Sequence, residues 1–126
     1  MEARGNINMV DLQAYRAWIE AALKYSGGTH SFDDIAEGIA SGHMQLWPTN
    51  RACAVTQIVV YPRKKVLHVF LAAGDLDRIT DAIGAVEEWG KAQGCECLTM
   101  NGRHGWQRVL NKRGWTPTMV VMERSL

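Results

Sequence analysis

No apolar run in this 126-residue sequence approaches the roughly 20 residues that a membrane-crossing helix needs, so a helical membrane span is not expected. The first residues, Met1-Glu2-Ala3-Arg4-Gly5-Asn6, contain no apolar stretch followed by a small-residue cleavage site, so secretion is not expected and a cytoplasmic setting fits. Cysteine is scarce: Cys53, Cys95 and Cys97 are odd in number, and too few for a disulfide framework or a four-thiolate zinc site. Charge of one sign is also missing, with 14 basic residues against 13 acidic ones and a net charge of +1. Such a balance gives no global field to draw the chain to nucleic acid or to an anionic membrane.

What is present suits one compact domain over residues 1–126: 47% of residues are hydrophobic and 21% charged. Cys95 and Cys97 form a C-x-C pair that has the look of metal ligands. Their place at the opening of a strand instead makes Cys97 a small buried hydrophobe, and no metal is expected.

Periodicity divides the chain into elements. From Val10 to Tyr25, the residues Leu12, Tyr15, Ile19, Ala22 and Leu23 recur at helical spacing, and Ser26-Gly27-Gly28 ends that helix. Ile7-Asn8-Met9 before it reads as a minor edge strand. Ser31 offers a cap hydroxyl to a second helix running to Ala40, with Asp33 and Asp34 in its first turn. The period then changes. Strands are expected over 43–47, 52–61 and 66–73, with Pro48-Thr49-Asn50 and Pro62-Arg63-Lys64 as turns, and the nearly continuous apolar run 66–73 marks the sheet centre.

After Gly74-Asp75, the stripe Leu76, Ile79, Ile83, Val86 and Gly90 predicts a long helix packed on the sheet, ended by Gly94. Residues 97–100 follow as a strand that a right-handed crossover makes parallel to its predecessor. A further helix around Trp106, Val109 and Leu110 and a last strand over 118–123 complete the order. The fold class is therefore α/β (α+β): a mixed, mostly antiparallel sheet with a central β-α-β unit and helices on both faces.

This order resembles that of the GNAT N-acetyltransferases, and Val109-Leu110-Asn111-Lys112-Arg113-Gly114-Trp115 is similar to their L-Y-E-K-x-G-F stretch. A closer resemblance, to small GNAT-like proteins of tailed bacteriophages and prophages, rests on several runs. They are Gln45-Leu46-Trp47-Pro48, Tyr61-Pro62-Arg63-Lys64, Ala72-Ala73-Gly74-Asp75-Leu76, Trp89 with Ala92-Gln93-Gly94-Cys95, and Gly102-Arg103-His104-Gly105-Trp106. It implies a protein acting by contacts with other phage or host proteins, in virion assembly or host takeover, located in the host cytoplasm or carried in the virion. Association with itself fits; membrane and nucleic acid are not expected partners.

The GNAT resemblance also implies where acetyl-CoA would bind if the chain were an active N-acyltransferase. GNAT enzymes hold the diphosphate with free amides in an R/Q-x-x-G-x-G/A loop, where the helix dipole favours an anion. The matching stretch places Ala72, Ala73, Gly74, Asp75 and Arg78 at that site, with Arg103 as a further source of charge. It holds one glycine, and Asp75 and Asp77 occupy the anion position as cap and first-turn acid. The tyrosine that many GNAT enzymes use as general acid is matched by Leu110, which has no proton to give. His68, on the central strand, is the remaining candidate for a catalytic base; a histidine there also fits a hydrogen-bonded core residue. The expected cofactor is none, or acetyl-CoA in the active alternative.

Five tryptophans could mark a partner surface, but packing in the core or a groove accounts for most of them. The cluster Arg103, Arg108, Lys112 and Arg113 reads as a solvated helix face lacking the stacking aromatics of a nucleic-acid site.

Overall fold

A computed structural model describes residues 9–102 and 104–126. The described elements are α1 (Met9–Ala14), α2 (Arg16–Leu23), α3 (Phe32–Ser41), β1 (Gln45–Thr49), β2 (Ala52–Tyr61), β3 (Lys64–Gly74), α4 (Leu76–Ala92), β4 (Cys97–Met100) and α5 (His104–Asn111). The strands form one sheet in the order β1-β2-β3-β4, antiparallel except for the parallel β3–β4 pair. The α/β class and the β-α-β unit therefore stand as expected.

Two apolar layers cover the sheet. On one face Leu12, Ile19, Phe32 and Ile35 of the first three helices pack on Leu46, Val55, Leu71 and Ala73. On the other, Ile79, Val86 and Gly90 of α4 turn inward, as its stripe required. Gly90 lets this helix come close, since a Cβ there would stand 3.1 Å from Leu67 Cδ2. The start of α3 is fixed by a reciprocal cap: Ser31 Oγ accepts from the Asp34 amide, and Asp34 Oδ2 accepts from the Ser31 amide at 2.9 Å. Those bonds to the charged form hold the Asp34 carboxyl below its ordinary range.

The structure departs from the sequence reading at several places; β3, for one, starts at Lys64, two residues earlier than expected. The first helix is broken at Tyr15, whose ring hydroxyl donates to the Thr49 carbonyl at 2.8 Å; this tertiary bond goes with a local turn between α1 and α2. The first strand of the sheet runs two residues later than expected and includes Pro48, which β1 tolerates because it is an edge strand. Met9 begins α1 rather than ending a strand; Ile7 and Asn8 lie outside the described residues. Residues 118–123 form no strand and are exposed throughout.

Among the described residues, no helix is long and apolar enough to cross a membrane.

Candidate functional site

The site grows out of β3, the strand that carries most of the sequence-predicted residues. Its pairing with β2 slips once: Val55 faces Leu71 while Thr56 faces Val69, so Phe70 is an extra, bulged residue. Its pairing with β4 ends at the same point, on Val69↔Met100, although β3 continues to Gly74. Beyond the bulge, the β3–β4 pairing stops, and among the described residues no strand pairs with residues 70–74 on that side. The edge of the Phe70 ring meets the His30 imidazole at 4.6 Å between centroids.

His68 lies two residues before the bulge, half-buried, with its Nδ1 2.8 Å from Thr99 Oγ1 on β4. Burial holds its pKa below the ordinary imidazole value. The ring is therefore neutral near pH 7, with Nδ1 committed to Thr99. Both readings of this residue, base and hydrogen-bonded core histidine, share this geometry.

The shift has a consequence for stability. As pH falls through about 6.5, the unfolded chain takes up a proton before the folded one does. The His68 contribution is thus fully present above that pH and declines below it, until the folded ring is itself protonated. Urea unfolding at pH 7, 6 and 5 should show a smaller acid-side loss in His68→Gln than in the parent.

Ala72, Ala73, Gly74 and Asp75 sit together at the end of β3, about six residues or roughly 20 Å of extended strand from His68. Ala73 is buried in the α1–α3 layer, and Ala72 lines a cavity on the α4 side. Gly74 has φ +97°, and a Cβ there would stand 2.4 Å from the Arg51 carbonyl oxygen. Its glycine is required by the close approach of the end of β3 to Arg51 and Ala52 at the start of β2. Asp75 caps α4, with its Oδ1 accepting from the Asp77 amide at 3.2 Å. Arg78 is exposed in the first turn of α4. Arg103 lies outside the described residues.

The amides at this helix start can be followed one by one. Asp75 N–H donates to the Arg51 carbonyl at 3.1 Å, Asp77 N–H to the Asp75 side chain, and Arg78 N–H to the Asp75 carbonyl at 3.1 Å. Three of the four donors that a helix N-terminus offers to an anion are already engaged within the protein. The Asp75 carboxylate is the acceptor for one of them, the Asp77 amide.

Sequence reasoning missed the cavity of about 60 Å3 between the sheet, α4 and α5. Trp47, Trp106, Trp115, Met100 and Leu110 line it, with Glu87 and Arg113 as its charged residues. Trp47 also meets Trp89 edge-on at 5.7 Å. Three of the five tryptophans thus share one groove. Leu110, at the position where the resemblance implies a tyrosine, contributes apolar wall. Cys53 borders the same cavity, but burial pushes its thiol up to about 12, which removes it as a nucleophile. Cys95 and Cys97 are half-buried, and no group of three or more metal-ligating side chains occurs among the described residues.

No protein-family model matches the sequence, and no curated protein matches it either. Solved structures do match in shape. A GCN5-related N-acetyltransferase from Ralstonia eutropha aligns with a TM-score of 0.71 at 14% identity, over 94% of this chain and 95% of that one. An aminoglycoside N-acetyltransferase, AAC(6')-Iy, in complex with CoA gives 0.69 at 16% identity, over 95% and 91%. A Trypanosoma brucei acetyltransferase gives 0.69 at 14% identity, over 95% and 96%. At these identities the likeness speaks for the backbone arrangement: this chain has the fold of the GNAT acetyltransferases, with its long helix capped by its own aspartate.

Proposed function

We propose that this chain is a GNAT-fold protein that no longer carries an acyl-CoA site and acts through contacts with other proteins. One observation carries the reading: Asp75 and its neighbours use the amides that would receive a diphosphate. A bound diphosphate would have to displace the Asp75 cap, strip the Arg51 contact and sit against two carboxylates, those of Asp75 and Asp77. Leu110 in the wall of an apolar cavity supports the same view, since a leaving thiolate would find no proton there.

The kind of contact is inferred from the sequence resemblance to GNAT-like proteins of tailed phages. It points to virion assembly or host takeover, in the host cytoplasm or within the particle. Calorimetric titration of acetyl-CoA into the purified protein tests the first part. No heat of binding is expected up to about 1 mM ligand, whereas an ordinary cofactor site would saturate at micromolar concentration.

A second reading is favoured by the bulge at Phe70 and by His68. The β3–β4 pairing stops there, and a neutral imidazole half-buried near that point is suited to accept a proton from an amine. On this reading the chain is an N-acyltransferase with an unusual phosphate site. It requires micromolar acetyl-CoA binding, with turnover lost and binding kept in His68→Ala.

A further inference from the structure

The hairpin of β2 and β3 reaches past the strand beside it. β1 pairs with β2 only from Ala52 to Thr56 while β2 runs on to Tyr61, so among the described residues no strand pairs with Gln57 to Tyr61 on their outer side. The inner side of the same residues is paired with β3 throughout, from Gln57↔His68 to Tyr61↔Lys64. Alternate residues of such a stretch turn their N–H and C=O groups outward, which leaves roughly 17 Å of edge for a further short strand. Proteins commonly blunt an edge of this kind with proline or charge, and Gln57-Ile58-Val59-Val60-Tyr61 carries neither.

The side chains along the edge define what would lie there. Successive residues alternate between faces, so an added strand would meet Ile58 and Val60 on one face and Val59 and Tyr61 on the other. Val60 is 71% exposed and Tyr61 55%, so both have surface left to cover. The end of the edge is different in kind. Pro62-Arg63-Lys64 turns the chain, and Arg63 and Lys64 are exposed. The ion pairs among the described residues are Arg16–Glu20 and Lys91–Glu88, so neither cation is matched by an acid there. No acidic residue occurs from Gln57 to Lys65. The surface is thus an open β edge with apolar flanks and two positive charges at its tip.

We infer that this edge binds an extended segment of another protein, a short run of β-branched residues with acidic residues at the end that meets Arg63 and Lys64. The added strand supplies backbone partners to the edge, and its acids pair with the two cations. This gives the protein-contact reading a surface, yet its test involves no CoA, so either can fail without the other.

The probes are two peptides with a Val-Thr-Val-Thr-Val core, one preceded and one followed by Asp-Asp-Asp, titrated into the isotope-labelled full chain. One of the two orientations is expected to bind with a dissociation constant below about 100 μM and to shift the amide signals of residues 57–61. N-methylation at alternate core residues blocks one edge of the peptide at a time. Of the two methylated forms, one should lose binding and the other keep it, which charge attraction alone would not produce. Arg63→Glu with Lys64→Glu should weaken binding at least about tenfold, with circular dichroism unchanged because both side chains are exposed. Failure of both peptides at about 1 mM would overturn the inference, as would binding that survives in the double variant or in both methylated forms. Slow hydrogen exchange of every amide over 57–61 in the free chain would overturn it too, since the edge would then be covered from within the chain or by a second copy. So would shifts of the same amides by an oligothymidylate and not by the peptides.

Discussion

Gly74→Ala should lower the stability of this protein by roughly 3–5 kcal/mol, a combination of backbone strain and forced repacking. The residue has φ +97°, in the left-handed region that a Cβ disfavours. The new methyl would also stand 2.4 Å from the Arg51 carbonyl oxygen and 2.7 Å from the Ala52 Cα. Both obstacles are backbone atoms, so no side chain can rotate out of the way. The strands β2 and β3 must separate where they hold the start of α4, and the Asp75–Arg51 hydrogen bond goes with them. Thermal unfolding should show a fall of about 10–20 °C. Gly84→Ala is the matched control: that glycine is exposed within α4 with open space around it, and alanine there should stabilise by about 0.5–1 kcal/mol.

Thr56→Val should cost about 2–4 kcal/mol, although it scarcely changes the side-chain volume. Thr56 is fully buried and sits in the middle of a relay: Trp47 Nε1 donates to its Oγ1 at 2.9 Å, and its hydroxyl donates to Gln45 Oε1 at 2.8 Å. Valine leaves a half-buried indole N–H and a buried amide oxygen without these partners at once, and each such group costs about 1–3 kcal/mol. Thr56→Ser keeps both bonds and loses one methyl, so it should cost only about 1 kcal/mol. Urea unfolding of the two variants separates the hydrogen-bond effect from packing.

Much of the framework could be read from local pattern. The β-branched run over 52–61 is β2 to the residue, and the three-and-four spacing after Gly74 is α4. The aspartate cap of α4 was legible as well, because an acid between a glycine and an apolar stripe has one common use. The errors arise where a distant partner decides. Tyr15 fits a helical period, yet its hydroxyl is tied to Thr49, and the break follows. Pro48 is a turn residue by type, and only its place on an edge strand admits it to β1.

Gly74 shows the same limit within the site. The resemblance implies a glycine of a phosphate loop there, and the structure adds a close approach to Arg51 that no local pattern encodes. The bulge at Phe70 depends on the register of β2 against β3 and was likewise invisible. The tryptophans of the cavity are drawn from β1, from α5 and from the residue just beyond Gly114, so only the fold brings them together.

At the start of α4 the Asp75 side chain accepts from the Asp77 amide, and the proposed function requires that CoA not displace it. The most direct test of that requirement is an amide-resolved NMR titration with CoA, following the N–H signals of residues 74–79. The account predicts that the Asp75, Asp77 and Arg78 signals stay in place at millimolar ligand, on the order of a thousandfold above the affinity of an ordinary cofactor site. Saturable shifts of those three signals at micromolar CoA would contradict it.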